Sequence, residues 1–418
     1  MAVHVGGSDA AWIALLTAGL LCSLAAFYFS ELNGLYPSAA ALRVWMAKAI
    51  GDTFALVVTF LYIPAIVWVI AADTFVLAAT AQAGFPAVPG LVWICFFLGA
   101  ATLANLRGVK IAGLVQDATT FTLLGSLALI SLASLARQGF HLAAPLSLGG
   151  GHSPGPLNFI QAVAIGVFIY MGFEWITPMA EEANNPRRIP TAMFLGLSLV
   201  GGGFLLFTLA MTNLIPVASL AKSLVPQLLV GHAAFGPFGF WWMLVVSVVT
   251  AMTTFNGGFV TASRFIYACG RDRSLPPVFA RLNRHLVPDF ALEVLLSVSF
   301  ALSLIVFLTG DYTFLLGAGA ALEAFVYAVA AYCVIVLRRQ EPEWPRPFCI
   351  WGGTFVPWSG VVLFTLLGLV AGIANPWSLP FLAGLAALSV FYCLKVVPNL
   401  RRKYAPPRRR PLPAAMEE

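Results

Sequence analysis

Residues 165–190 read IGVFIYMGFEWITPMAEEANNPRRIP. The stretch begins as an apolar membrane segment, but Gly166, Gly172 and Pro178 punctuate it. Glu174 sits inside it, with no lysine or arginine nearer than Arg187. It then ends abruptly in EEANNPRR. A plain membrane anchor requires none of these features. A helix that breaks at depth, exposes backbone and handles charge requires something like them.

Outward from this stretch, the chain is overwhelmingly apolar. Of its 418 residues, 60% are hydrophobic and 10% charged, and the mean hydropathy is +0.90. A soluble domain of this size could not hide so much apolar surface, so the solvent is a bilayer. The expected fold is an all-α polytopic membrane protein with about eleven transmembrane helices of roughly 20 residues each. The spans are expected at 12–33, 46–82, 91–106, 112–136, 158–180, 192–215, 239–267, 291–309, 312–337, 353–374 and 377–396. No soluble domain and no linker that would separate one is visible.

Charge placement orients these spans. Of 23 lysines and arginines, only Arg137, Lys222 and Arg264 lie outside the joins after spans one, three, five, seven and nine and the tail. By the positive-inside rule those joins and the C-terminus face the cytoplasm of a cell membrane. The net charge of +6 is accounted for by topology and anionic lipid rather than by nucleic acid. The six cysteines are scattered without disulfide or metal spacing, and no metal site is expected.

The same assignment leaves MAVHVGGSDA, residues 1–10, outside the membrane without a signal segment. A repeat count leads to a matching expectation. An amphipathic stretch from Pro37 to Gly51 follows the first span, and another from Pro216 to Gly231 follows the sixth, on the opposite face. An inverted repeat places its elements this way. Residues 158–337 would then form a complete five-helix unit. Residues 1–136 would form a four-helix unit lacking its first helix. Residues 353–396 would add two peripheral helices, and 397–418 a basic cytoplasmic tail.

A buried charge costs about 2.5–3.5 kcal/mol at the bilayer centre, so each ionisable residue within a span needs a reason. Glu174 follows Gly172 by two residues. Glycine weakens a helix and lets a ligand approach the backbone. Unwinding near Phe168, Gly172 and Phe173 would present N–H groups to a carboxylate and carbonyls to an ammonium group. The same glycine and acid could equally serve helix packing. Glu323, in the ninth span, is a second candidate proton carrier. Thr254 and Asn256, in the seventh, could ligate a sodium ion or simply bond between helices. Glu181, Glu182, Arg187 and Arg188 could form an inner gate of parting ion pairs, or a solvated join. Walker loops and HExxH are absent, so neither an enzyme nor a built-in ATP engine is indicated.

Five motifs in order carry a resemblance. SELNGLYPSAA, NLRGVK, GFEWITPMAEEANNPRRIPTAM, SRFIYACGRDRSLPPVFARLN and LRRQEPEWPRPF resemble segments of the amino acid–polyamine–organocation permease superfamily. The resemblance implies a ten-helix inverted-repeat core with two peripheral helices, here with the first helix absent. It implies alternating access for an amino acid or amine, with proton or sodium as coupling ion and no cofactor. It further implies substrate contact at Phe168, Gly172, Phe173 and Glu174, with Thr254 and Asn256 near a cation position. Two departures stand out: Ala39-Ala40 replaces the family's glycine pair after Pro37-Ser38, and Gly125 falls where some relatives carry a lysine. The alternative is a truncated, non-transporting or receptor-like member. Substrate identity and oligomeric state are not legible.

Overall fold

A computed structural model of the chain describes residues 11–38, 40–107, 109–138, 156–180, 183 and 185–404. The described residues are helical wherever they are regular. Among the described residues ten helices are long and apolar enough to cross a membrane, and the shorter apolar helix Gly90–Leu106 accompanies them. The expected fold class holds.

The elements run α1 (Ala11–Leu35), α2 (Ala41–Ala49), α3 (Asp52–Gly84), α4 (Gly90–Leu106), α5 (Val109–Gln138), α6 (Pro156–Tyr170), α7 (Ile189–Leu214), α8 (Val217–Lys222), α9 (Pro226–Arg271), α10 (Asp289–Thr309), α11 (Thr313–Gln340), α12 (Phe355–Ile373), α13 (Ser378–Phe391) and α14 (Val397–Lys403). Short 3₁₀ turns at Phe173–Met179 and Pro186–Arg188 separate α6 from α7. A π turn at Tyr392–Val396 joins α13 to α14.

Several boundaries differ from those expected. Span two does not begin at residue 46. Residues 41–49 form the separate helix α2, and Gly51, at φ 137°, turns the chain into α3. A side chain disfavours that φ, so the glycine sets the corner. The arm after α7 is also in two pieces. It comprises α8 and the start of α9, which runs to Ala234 before leaving helical geometry at Phe235 and Gly236. Pro237 follows, and the chain reverses so tightly that a side chain on Gly231 would lie 2.4 Å from the carbonyl of Gly239. The last span does not stop at 396 but continues in helical form through Arg401, Arg402 and Lys403.

Two helices organise the rest. α11 packs against α1, α2, α3, α6, α12 and α13, and α3 packs against α9, α10 and α11. They are the most deeply buried spans. Membrane helices approach through small residues, because lipid provides no hydrophobic drive between them. α11 follows this rule: Ala318, Ala320, Ala321, Ala324, Ala330 and Ala331 are all buried. Pro64 lies within α3, where it removes one rung of the helical ladder two residues beyond Tyr62.

Candidate functional site

α6 ends at Tyr170, near the middle of the expected span 158–180. Gly172 adopts φ 111° and ψ −13°, the left-handed region, and the 3₁₀ turn starts at the next residue. The nearest atom to a side chain placed on Gly172 would be Trp175 Cε3 at 3.5 Å, an ordinary contact. The glycine is therefore required by the backbone conformation rather than by crowding. The helix held to be broken from its sequence is broken, at the residue that sequence reasoning singled out.

Tyr170 locks the approach to the break. Its ring lies between α1 and α7, with Oη 3.0 Å and 2.9 Å from where side chains on Gly19 and Gly201 would begin. Phe168 is buried against Gly319 of α11, where a methyl group would sit 2.6 Å from Phe168 Cε2. Phe173 is half-buried and meets Phe29 and Tyr327, with ring centroids 6.1 Å and 5.7 Å away.

Glu174 is 2% exposed and turns back onto the break. The backbone N–H of Gly172 donates to both of its oxygens, at 3.3 Å and 3.1 Å. Tyr62 Oη of α3 donates to Oε1 at 2.8 Å, and Tyr327 Oη of α11 donates to Oε2 at 3.1 Å. The carboxyl thus ties the broken turn to the two helices that organise the fold. Glu323, one turn before Tyr327 on α11, is fully buried, and neither of its oxygens meets a hydrogen-bond partner. It lies close enough to Glu174 for the two charges to act on each other, and Tyr62, Tyr327 and Cys22 of α1 feel both acids. Tyr327 has a single hydroxyl hydrogen, and the bond to Glu174 uses it.

Sequence reasoning missed Tyr62, Tyr327 and Cys22. One signal was available for Tyr327: it follows Glu323 by four residues, and such pairs share a helix face. Nothing local marked Tyr62 or Cys22.

The remaining candidates sit elsewhere. Thr254 and Asn256 are half-buried on α9, beside Gly258, which packs against Ile66 and Ile70 of α3. α9 reaches the broken turn at Thr261, whose hydroxyl donates to the Trp175 carbonyl at 3.3 Å, five residues beyond Asn256. Glu181 and Glu182 lie outside the described residues, while Arg187 and Arg188 are exposed. Described ion pairs lie instead at the ends of α1, α2, α3, α9, α10, α11 and α14. Glu31, fully buried, is held by Arg338 at 2.6 Å and Arg346 at 3.4 Å. Arg43 pairs with Asp52 and Asp272, and Arg401 pairs with the same two acids. Among the described residues no group of histidines, cysteines and acids is arranged to hold a metal ion.

A family profile described as "Amino acid permease" matches residues 1–391. The chain is 26% identical over 392 residues to an uncharacterised amino acid permease, YvbW, of Bacillus subtilis, covering 89% of this chain and 85% of that one. It is 24% identical over 409 residues to the serine/threonine exchanger SteT of the same organism, covering 94% and 90%. A probable GABA permease of Pseudomonas aeruginosa is 25% identical over 420 residues, covering 94% and 86%. Among solved structures, a manganese transporter of Eremococcus coleocola aligns with a TM-score of 0.61 at 13% identity, covering 96% of this chain and 94% of that one. That likeness is one of fold alone.

Proposed function

The chain belongs to the amino acid permease family, and from that premise we propose that it carries an amino acid or small amine across the cell membrane by alternating access, ion-coupled or by exchange. The family consists of transporters, not enzymes, and the chain is a multi-pass membrane protein.

The observation that carries the reading is the break at Gly172 in an otherwise apolar, buried helix, with Glu174 folded back onto it. Backbone that leaves helical geometry at membrane depth persists only where protein or a polar cavity surrounds it. Phe168, Gly172, Phe173 and Glu174 are the proposed substrate contacts. The glycine lets a ligand approach the backbone, and the two rings cover its apolar part. The similarity to a serine/threonine exchanger and a GABA permease supports a small zwitterion or amine as cargo. Proton and sodium are the proposed coupling ions. Coupling means that substrate and ion together favour the state that can reorient. The arginine-rich joins and the C-terminus are read as cytoplasmic.

Uptake of a labelled amino acid and amine panel into proteoliposomes, with and without a pH or sodium gradient, tests this function. Accumulation of at least one compound is expected. No uptake by the reconstituted chain, and no substrate-induced shift in its melting temperature, would overturn it.

A further inference from the structure

The two buried carboxyls of the site are bonded in opposite ways. Glu174 accepts from three donors, Gly172 N–H, Tyr62 Oη and Tyr327 Oη, which occupy both of its oxygens. An ionised carboxylate is an acceptor only, and this is the arrangement that suits one. Glu323 is buried as deeply, and the one donor beside it, the Tyr327 hydroxyl, has its single hydrogen committed to Glu174. An ionised carboxylate in that position would be a desolvated charge without a hydrogen bond or a counter-ion. A protonated carboxyl in the same position becomes a donor, and Glu174 is the acceptor beside it.

α1, α3, α6, α12, α13 and the 3₁₀ turn contain no lysine, arginine or histidine. The cations of α11 are Arg338 and Arg339 at its far end; of the α2 cations, Arg43 pairs with Asp52 and Asp272 and Lys48 lies over the Tyr36 ring; and Arg264 of α9 donates to the Val260 carbonyl. The titratable groups that face the pair are Tyr62 of α3, Cys22 of α1 and Tyr327 of α11, all neutral in their ordinary forms. The other acids of α3, Asp52 and Asp73, lie roughly 15 Å from Tyr62 along the helix axis on either side.

The geometry points to Glu323 as the residue that carries a proton in this site, with its carboxylic O–H lent to the ionised carboxylate of Glu174. The pair then has one negative charge. Loss of the proton leaves two carboxylates side by side, and a cation must enter to balance them, either another proton or the ammonium group of a substrate. Glu323 is thus a positioning and coupling residue, and Glu174 the acceptor that senses whether the proton is present. This rests on the proposed transport function for its consequence, but the location of the proton can be read without any substrate.

The test is infrared spectroscopy of the purified full chain at neutral pH. The wild type should show the C=O stretch of a buried carboxylic acid, and Glu323→Gln should lose it. Glu323→Asp, which keeps the acid on a shorter stem, should move the band and serves if the glutamine variant does not fold. A spectrum without such a band, or a band unchanged in both variants, overturns the assignment. In proteoliposomes, Glu323→Gln should abolish accumulation driven by a pH gradient, and unchanged accumulation also overturns it. Should the wild type take up nothing from the panel, the transport function falls while the infrared result still decides where the proton is.

Discussion

Arg338 grips Glu31 with two parallel bonds, Nε to Oε1 at 2.8 Å and Nη2 to Oε2 at 2.6 Å, and so ties the end of α11 to the end of α1. The Ile350 N–H adds a bond to Oε2 at 2.9 Å, and Arg346 approaches Oε1. Arg338 also donates to the carbonyls of Ile350 and Gly353. The buried acid is the pin that holds three segments together.

Removing this acid leaves two partly buried guanidinium groups without their counter-charge. Loss of one partner of a buried pair costs about 3–5 kcal/mol, so Glu31→Gln should markedly lower the melting temperature in detergent. Arg338→Lys should lower it as well, since an ammonium group cannot make the paired contact. A melting curve of Glu31→Gln that overlays the wild type would contradict this role.

The break at Gly172 gives a second prediction. A non-glycine residue in the left-handed region costs roughly 1–2 kcal/mol, a loss that a protein of this size survives. Because the space beside the glycine is open to an ordinary contact, Gly172→Ala should fold. Gly172→Leu should also fold yet lose substrate binding, because its side chain would occupy the approach to the backbone. Equilibrium binding of the transported compound measures the difference, and undiminished binding by the leucine variant would place the substrate elsewhere.

Tyr62 and Tyr327 bond to the two oxygens of one carboxyl, so their effects should not be independent. Hydrogen bonds to charged groups contribute about 1.5–3 kcal/mol, and Tyr62→Phe and Tyr327→Phe should each destabilise the protein by up to that amount. Groups that share a partner couple by roughly 0.5–3 kcal/mol. A double-mutant cycle should therefore depart from additivity, and strict additivity would mean that Glu174 does not hold both hydroxyls at once.

Phe168 and Gly319 form a tight packing pair between α6 and α11. A methyl group on Gly319 would sit within 2.6 Å of the ring, so Gly319→Ala must push Phe168 aside. Overpacking of this kind costs about 1–3 kcal/mol. If Phe168 contacts substrate, the affinity should fall with it, whereas Gly196→Ala, which meets nothing nearby, should leave affinity intact. Equal affinities in the two variants would remove Phe168 from the site.

By itself the amino-acid sequence determined the membrane-spanning class, the alternation of charged joins and the place where the sixth helix breaks. These are local properties. Hydropathy over roughly 20 residues decides what crosses a bilayer, and Gly172 beside an isolated Glu174 marks a defect wherever the segment is placed. The sequence also brought Glu323 forward, because an acid in an apolar span is conspicuous. Partners were another matter. Tyr62 and Tyr327 reach Glu174 across 112 and 153 residues, and Arg338 reaches Glu31 across 307. Tyrosine is at home in any membrane helix, so neither ring stood out. The ion pairs expected within Glu181–Arg188 were chosen for their closeness along the chain, whereas Glu31 and Arg338 meet because α11 packs along α1. Which acid has donors and which has none was decided only when helix packing brought α3, α11 and the broken turn to one point.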